Sequence, residues 1–448
     1  MIAEIKRTFQ LALPMMATQL LWMTMPIVDN MLVGHLGERA LASMALAATF
    51  YWLLQLVCLG ILTALNPLVS HEFGQGKTES YRSLIQSALF LAALLSVFMM
   101  GCLIWGSYLL EKLGQDPQLL IQSKEYFKGV VWGVPFQLGF IVFRQFCDSV
   151  EDPKPTIVLV AIAGLLNATL GYGLIYGKFG LPALGLRGCG LATAACQFLM
   201  FVGLGSYVSF GKKHRKYSLW VKNEISRDRL WEMFKLGIPS SGAMLAEMLY
   251  FSGSTFIMGL LGATEVASHQ IALNVASATF MIPLGVSFAV SVRVGGFAGR
   301  RDWSGVRRAG KSGVILCTLL GTMNALFLLV ASEQIVQLYT SDAKVVAMAV
   351  QLVRIAGVFQ IFDGLQVVGI YALRGIKDTR IPFLVTLVSY GLIGMSSSLW
   401  FTFRLQKGPV GFWIGMIVAL ATAAALHQWR FKILSQSGLA LRVESPRS

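Results

Sequence analysis

Charge is the scarcest ingredient of this chain. Of its 448 residues, 13% are charged, about half the roughly 25% of a soluble globular domain. Such a sequence cannot cover a large water-facing surface, which excludes a soluble domain of any size. The chain also lacks a Walker-type phosphate loop, which argues against direct drive by ATP. It has no zinc-ligand spacing and no nucleophile elbow, so the usual enzyme signatures are missing and a non-enzyme is expected. Cysteine is sparse. Cys58, Cys102, Cys147, Cys189, Cys196 and Cys317 all fall in or at the ends of apolar segments, with no CxxC spacing. They read as small packing residues, with no disulfide framework and no metal site. No small-residue cleavage site follows the basic start MIAEIKRTFQLALP, and its apolar run outlasts a signal-peptide core, so it reads as an uncleaved first spanning helix.

What fills the chain instead is apolar: 55% of residues are hydrophobic and the mean hydropathy is +0.65. Runs of about 20 apolar residues, enough to cross a bilayer as helices, recur from end to end. They are continuous, whereas barrel strands would alternate. Twelve spanning segments are expected near 8–33, 42–70, 84–110, 122–147, 156–177, 186–210, 232–261, 265–291, 311–331, 344–373, 381–403 and 410–432. With the N-terminus inside, the inner loops and segment ends hold 27 of the 37 Lys and Arg, leaving 10 outside. By the positive-inside rule both termini are expected in the cytoplasm. The formal charge of +15 is therefore a topology signal, and clusters such as KKHRK (212–216) and RRDWSGVRRAGK (300–311) face anionic lipid. No nucleic-acid partner is expected.

The chain repeats itself. LALP (11–14) recurs as LGIP (236–239), GHLGERALAS (34–43) as GLLGATEVAS (259–268), and Gly74 as Gly299, all at one constant offset of half the chain. Phe136-Gln137 recurs as Phe359-Gln360, with the offset shortened by two positions. The expected organisation is an N-terminal six-helix lobe over 1–210, a basic cytoplasmic linker over 211–229, a C-terminal six-helix lobe over 230–435 and a cytoplasmic tail over 436–448. Six is even, so both halves enter the membrane from the same side as parallel repeats. Paired bundles of this kind suit alternating access around a midplane site.

Three acids fall well inside spanning segments: Asp29 in the first, Glu247 in the seventh and Asp363 in the tenth. A charge at the centre of a spanning helix costs about 2.5–3.5 kcal/mol on insertion scales, so each marks a candidate functional position facing a cavity. The alternative is a protonated or paired structural acid. Pro26, one turn before Asp29, removes a backbone hydrogen bond and invites a kink. Gln360, Asp363 and Gln366 are spaced by three along one helix face. Small and hydroxyl residues surround Glu247, and Gln270 and Asn274 lie one turn apart in the eighth segment. Carboxylates with amide and hydroxyl oxygens suit a hard cation such as Na⁺. Desolvated carboxylates can equally carry protons, and the spacing suits either ion. The repeat places Ser254 opposite Asp29 and Trp22 opposite Glu247, so the halves share a frame but not a chemistry.

Other features carry less. Arg354 is nine residues from Asp363, about half a turn out of phase, and is expected to snorkel to the outer surface. His269 reads as a hydrogen-bonded core histidine more readily than as a proton relay. The 19 Met, 28 Phe and 10 Trp suit a permissive apolar cavity and ordinary membrane packing alike.

At this point a resemblance emerges. The segments LALPMMATQL…VDNMLVGHLG (11–37), LLNATLGYGLIYGKFGLPALGLRGCGLAT (165–193), EVASHQIALN (265–274), VSVRVG (290–295) and FQIFDGLQVVGIYALRGIKDT (359–379), in this order over nearly the whole chain, resemble the multidrug and toxic compound extrusion (MATE) transporters, NorM-like branch. The resemblance implies an all-α integral membrane protein with twelve transmembrane helices in two pseudo-symmetric six-helix bundles, V-shaped. It implies cation-coupled antiport of organic, often cationic, drugs across a bacterial inner membrane by a monomer, with no cofactor beyond the coupling ion, Na⁺ or H⁺. It links Glu247 and Asp363 to cation binding, supported by Gln270 and Asn274. It links Asp29 and Asn167 to protonation or drug binding in the first lobe. Gln360, Gln366, Phe359, Ser254 and Pro26 are supporting positions. Two departures stand out. Gly171 occupies the position of a second first-lobe acid in other branches, and Phe359 often corresponds to tyrosine. The intact second-lobe pair and Gly171 favour Na⁺. The rival readings are a flippase for lipid-linked precursors, from the same superfamily, and a channel or membrane receptor. A flippase would call for a cationic cavity, and the spanning segments hold almost no central Lys or Arg.

Overall fold

The computed structural model of the chain describes residues 1–112, 114, 116–214, 217 and 224–437. Part of the linker expected over 211–229, Arg215 and Lys216 included, and the tail from 438 lie outside these residues. In chain order the helices are α1 (Ile2–Gly34), α2 (Glu38–Leu62), α3 (Leu65–Gln75), α4 (Ser80–Ile104), α5 (Gly106–Lys112), α6 (Pro117–Val130), α7 (Val134–Ser149), α8 (Lys154–Tyr176), α9 (Gly185–Phe210), α10 (Arg227–Leu261), α11 (Ala263–Gly299), α12 (Trp303–Gln337), α13 (Ala343–Gly375), α14 (Arg380–Leu387), α15 (Met395–Leu399) and α16 (Gly408–Ser437). Among the described residues there is no strand. A lipid-facing backbone has no water to bond to, so it satisfies its polar groups within the helix.

Twelve of these helices or helix runs are long and apolar enough to span a membrane, in register with the twelve segments expected from hydropathy. Most run further than hydropathy alone suggests; the eighth, expected over 265–291, extends over Ala263–Gly299. Polar residues at the ends continue the helix and cap it. Asp302 accepts from Gly305 N at 2.8 Å at the start of α12, and Asp342 accepts from Lys344 N at 2.9 Å before α13. Gly76 and Gly177, with φ of 72° and 71°, take the left-handed conformation that ends α3 and α8. The eleventh span is irregular: two π-helical stretches, Val388–Gly394 and Trp400–Arg404, flank α15.

By contacts the chain divides inside two helices. One compact unit is Leu20–Ser241; the other is Met1–Gln19 with Gly242–Ser448. In the Leu20–Ser241 unit, α9 packs on α6, α7 and α8, over a core in which Tyr81, Phe140, Phe143 and Phe146 are fully buried. The opening turns of α10 dock here. Arg229 Nη2 lies 2.6 Å from Glu72 Oε1, Ser241 donates to the Val57 carbonyl at 2.8 Å, and a Cβ on Gly60 would overlap Ser241 Cα. The loop before α8 is tied down by Asp152, which accepts from Tyr207 Oη and His214 Nε2 at 2.9 Å each and from Lys213 Nζ at 2.9 Å. Burial works against the Asp152 charge, but hydrogen bonds from His214, Lys213 and Tyr207 outweigh it and hold the carboxyl well below the usual carboxylate range.

In the other unit, α13 is the central helix, packed on α11, α12 and α16. The opening turns of α1 dock here by a matching scheme. Glu4 takes a two-pronged ion pair from Arg293 at 2.9 and 3.0 Å, and the Thr8 and Ser312 hydroxyls meet at 3.0 Å. A Cβ on Gly285 would come within 2.6 Å of Met16 Cα. Gly60 and Gly285, Ser241 and Met16, and Arg229 and Glu4 are three pairs of positions related by the offset of the sequence repeat.

Candidate functional site

Glu247 on α10, Gln270 on α11 and Asp363 on α13, far apart in sequence, line one cavity of about 360 Å³ with Phe251, Phe280 and Phe359. That volume falls within the roughly 300–1,000 Å³ of small-molecule pockets. Glu247 is half-buried, while Asp363 is 4% exposed and its Oδ1 has no hydrogen-bond partner. The two carboxylates act on one another electrostatically. Ser252, Thr255 and Ser277 add hydroxyls, and Gln270 Nε2 donates to Thr255 Oγ1 at 3.1 Å. Among the described residues no three His, Cys, Asp or Glu gather as a metal cluster. A cation here would complete its shell with amide and hydroxyl oxygens. Three phenyl faces and a carboxylate pair also suit an organic cation, through cation–π and charge attraction.

The supporting positions divide. Phe359 lines the cavity. Gln360 is buried on the same helix and donates to the Ala276 carbonyl at 2.7 Å; Gln366 is buried with Oε1 unpartnered. Asn274 is exposed and does not line the cavity. Its one-turn spacing from Gln270 suggests a shared face, but the cavity wall follows Gln270, Leu273, Ala276 and Ser277 instead. Ser254 is likewise outside it. Trp413 Nε1 donates to His269 Nδ1 at 3.1 Å, so the neutral ring carries its proton on Nε2. That nitrogen donates to Ser254 at 2.8 Å, and Ser254 donates to the Phe251 carbonyl at 2.5 Å. An indole N–H can only donate, so this directed chain holds His269 as a satisfied core residue. Arg354 is exposed and donates from Nε to Ser332 at 3.1 Å, away from the cavity.

Asp29 sits in the Leu20–Ser241 unit, 5% exposed. Its Oδ2 accepts from Thr193 Oγ1 at 3.3 Å, and Asn167 and Cys189 face the same carboxylate. Oδ1 has no hydrogen-bond partner. Pro26 lies within α1, which is helical from Ile2 to Gly34. Thr193 escaped the sequence reading. The signal available was its spacing: Cys189, Thr193 and Gln197 recur every four residues along one face of α9. Gln197 continues the polar stripe, donating to Tyr51 Oη at 3.3 Å and to Gln137. Arg144 and Arg374 lie toward the C-terminal ends of their spans. Arg144 pairs with Asp148 at 3.6 Å and Arg374 lies 4.5 Å from the Tyr371 ring centre.

Among the described residues, twelve helices long and apolar enough to span a membrane, a two-fold sequence repeat and a cavity lined by two acids fit a membrane transporter. The chain belongs to the MatE family, whose model matches residues 14–173 and 239–400. It is similar to the "Multidrug resistance protein NorM" of Aliivibrio fischeri, 33% identical over 98% of this chain and 97% of that one. It is also similar to a NorM relative from Bradyrhizobium diazoefficiens, 35% identical over 97% and 94%. The fold matches the crystal structure of the eukaryotic MATE transporter AtDTX14 with a TM-score of 0.86 at 22% identity, covering 99% of each chain.

Proposed function

We propose that this chain is a multidrug efflux transporter that exchanges organic cations for an inward-moving cation by alternating access, from a bacterial inner membrane with both termini in the cytoplasm. The observation that carries the reading is the cavity lined by Glu247, Asp363 and three phenylalanines. A cation entering from outside neutralises the pair and favours the state that releases drug. Coupling requires only that cation and drug differ in affinity for the two states, or compete for one. Na⁺ is the favoured ion, because the cavity offers two carboxylates and neutral oxygens together. Asp29, held by Thr193, supplies a negative charge or a switchable hydrogen bond in the first lobe. The protein acts as a monomer with lipid as its surroundings.

The test is ethidium efflux from energised vesicles under separately imposed Na⁺ and H⁺ gradients. Efflux driven by Na⁺ alone is expected. Efflux driven by ΔpH alone would transfer the coupling to H⁺. No gradient-driven efflux of ethidium or of a panel of other cations would sink the reading in favour of lipid-precursor flipping.

A further inference from the structure

The basic residues where α12 begins and α16 ends do not all find a counter-charge. Three acids at this end of the unit are already engaged: Glu4 with Arg293 at 2.9 Å, Asp302 with Arg308 at 3.4 Å and Asp378 with Arg430 at 2.7 Å. Arg307 donates from Nη1 to the Ser435 carbonyl at 2.8 Å and so caps the last turn of α16. Lys311 and Lys432 are exposed, and among the described residues neither ammonium has a hydrogen-bond or ion-pair partner. Helix packing brings these two lysines together. Arg307 reaches Ser435, and one turn further along α12 a Cβ on Gly310 would overlap the Phe431 ring. Rising numbers on α12 meet falling numbers on α16, so the two helices are antiparallel. In an antiparallel pair of right-handed helices, the residues that follow two contacting positions turn out on the same side of the contact. Lys311 follows Gly310 and Lys432 follows Phe431, so both stand on one flank of the crossing. Two ammonium groups on one flank repel unless an anion lies between them. Ile315, one turn beyond Lys311, and Trp429 and Ala425, one and two turns before Lys432, are exposed and continue this flank as apolar surface. A tryptophan beside cations at the end of an apolar surface is the pattern of a membrane–water interface.

We propose that this flank of the α12–α16 crossing is a binding site for one anionic phospholipid. Its phosphate lies between Lys311 and Lys432, and an acyl chain runs over Ile315, Ala425 and Trp429. The general attraction of basic helix ends for anionic lipid acts through each charge separately. Here two lysines from different helices converge on one phosphate, and the apolar flank supplies a chain contact that free phosphate cannot use. A lipid held there ties α12 to α16, both of which pack on α13, the helix that carries Asp363.

The experiment is native mass spectrometry of the delipidated full-length protein in detergent, titrated with phosphatidylglycerol, with phosphatidylcholine, or with phosphatidylglycerol against inorganic phosphate as competitor. It compares wild type, Lys311→Gln, Lys432→Gln, the double variant and Lys154→Gln; Lys154 is an exposed lysine at the start of α8, in the other unit. The wild type is expected to bind one phosphatidylglycerol in preference to phosphatidylcholine. Lys311→Gln and Lys432→Gln should each weaken that binding about fivefold to tenfold. The double variant should lose the preference, and Lys154→Gln should keep it. No preference in the wild type, wild-type affinity in both single variants, or an equal loss in Lys154→Gln overturns the proposal and leaves only diffuse surface charge. Full competition by inorganic phosphate at matching concentration overturns the lipid assignment and makes this a site for the free anion. Thermal unfolding without added lipid should be the same in all five proteins; a lower unfolding temperature in Lys311→Gln or Lys432→Gln assigns that lysine a partner within the protein and overturns the proposal too.

Discussion

The two halves of the chain put different chemistry at the same place. In the repeat, Glu247 corresponds to Trp22 and Asp363 to Phe140. In the C-terminal unit the two acids share an open cavity. In the N-terminal unit Trp22 and Phe140 pack ring to ring at 5.7 Å, with the Arg144 guanidinium 5.0 Å from the Trp22 ring centre. One unit thus has an acid-lined cavity where the other has an aromatic pair beside a guanidinium. The N-terminal acid, Asp29, lies seven residues further along its helix than the Glu247 equivalent, about 10 Å at the α-helical rise, and has a hydroxyl partner. A repeated frame supplies the architecture; substitution at a few equivalent positions on it decides which unit handles charge.

The docked segments differ in the same way. Position 4 is acidic and meets Arg293; its equivalent, 229, is basic and meets Glu72. Opposite polarity keeps each segment from the other's seat, because Glu4 against Glu72, or Arg229 against Arg293, would bury like charges.

The largest effect expected from this comparison is on coupling. Glu247→Gln and Asp363→Asn should each lower cation-driven ethidium efflux about 5–150-fold, the range of a 1–3 kcal/mol coupling energy. Asp29→Asn should lower it less. Equal losses in all three would break the contrast between the units. Next comes the docking of α1. Arg293→Glu leaves two buried carboxylates together and should destabilise the protein by about 3–5 kcal/mol. Adding Glu4→Arg should restore most of it by giving this pair the polarity of Arg229 and Glu72. Calorimetry or detergent-stability assays of the single and double variants check this, and no rescue would mean that Arg293 acts apart from Glu4. The smallest effect concerns Asp152. Asp152→Asn should cost about 2 kcal/mol through weakened charged hydrogen bonds. Its carboxyl is held below the ordinary 3.8; stability from the ionised form is therefore present above 3.8 and lost only as pH falls through the lower folded value. The deficit should persist from about pH 8 to about pH 5 in thermal-shift measurements. A deficit that vanishes by about pH 5 would mean that the folded Asp152 carboxyl takes up its proton above the ordinary 3.8 instead of below it.

Much of this molecule is legible in its sequence, for a definite reason. A bilayer imposes a solvent in which polarity is costly, so twelve apolar runs, the scarcity of charge and the three stray acids each carry a direct reading. The internal repeat predicts two related bundles. Hydropathy runs out at helix ends: α11 continues past residue 291 to Gly299, carrying Arg293 to its partner Glu4. Spacing along one helix cannot say that Gln270 lines the cavity while Asn274 does not, because that depends on which face α11 turns toward α13. Nor can it reveal Thr193 beside Asp29 or the ring pair of Trp22 and Phe140, each of which needs two helices brought together. What the sequence by itself determined was the solvent, the number of spans and the cost of each buried charge, all properties of single segments. Which charges met, which rings packed together, and which acids came to line one cavity was decided only by tertiary packing, because these depend on side-chain distances between helices that periodicity does not encode.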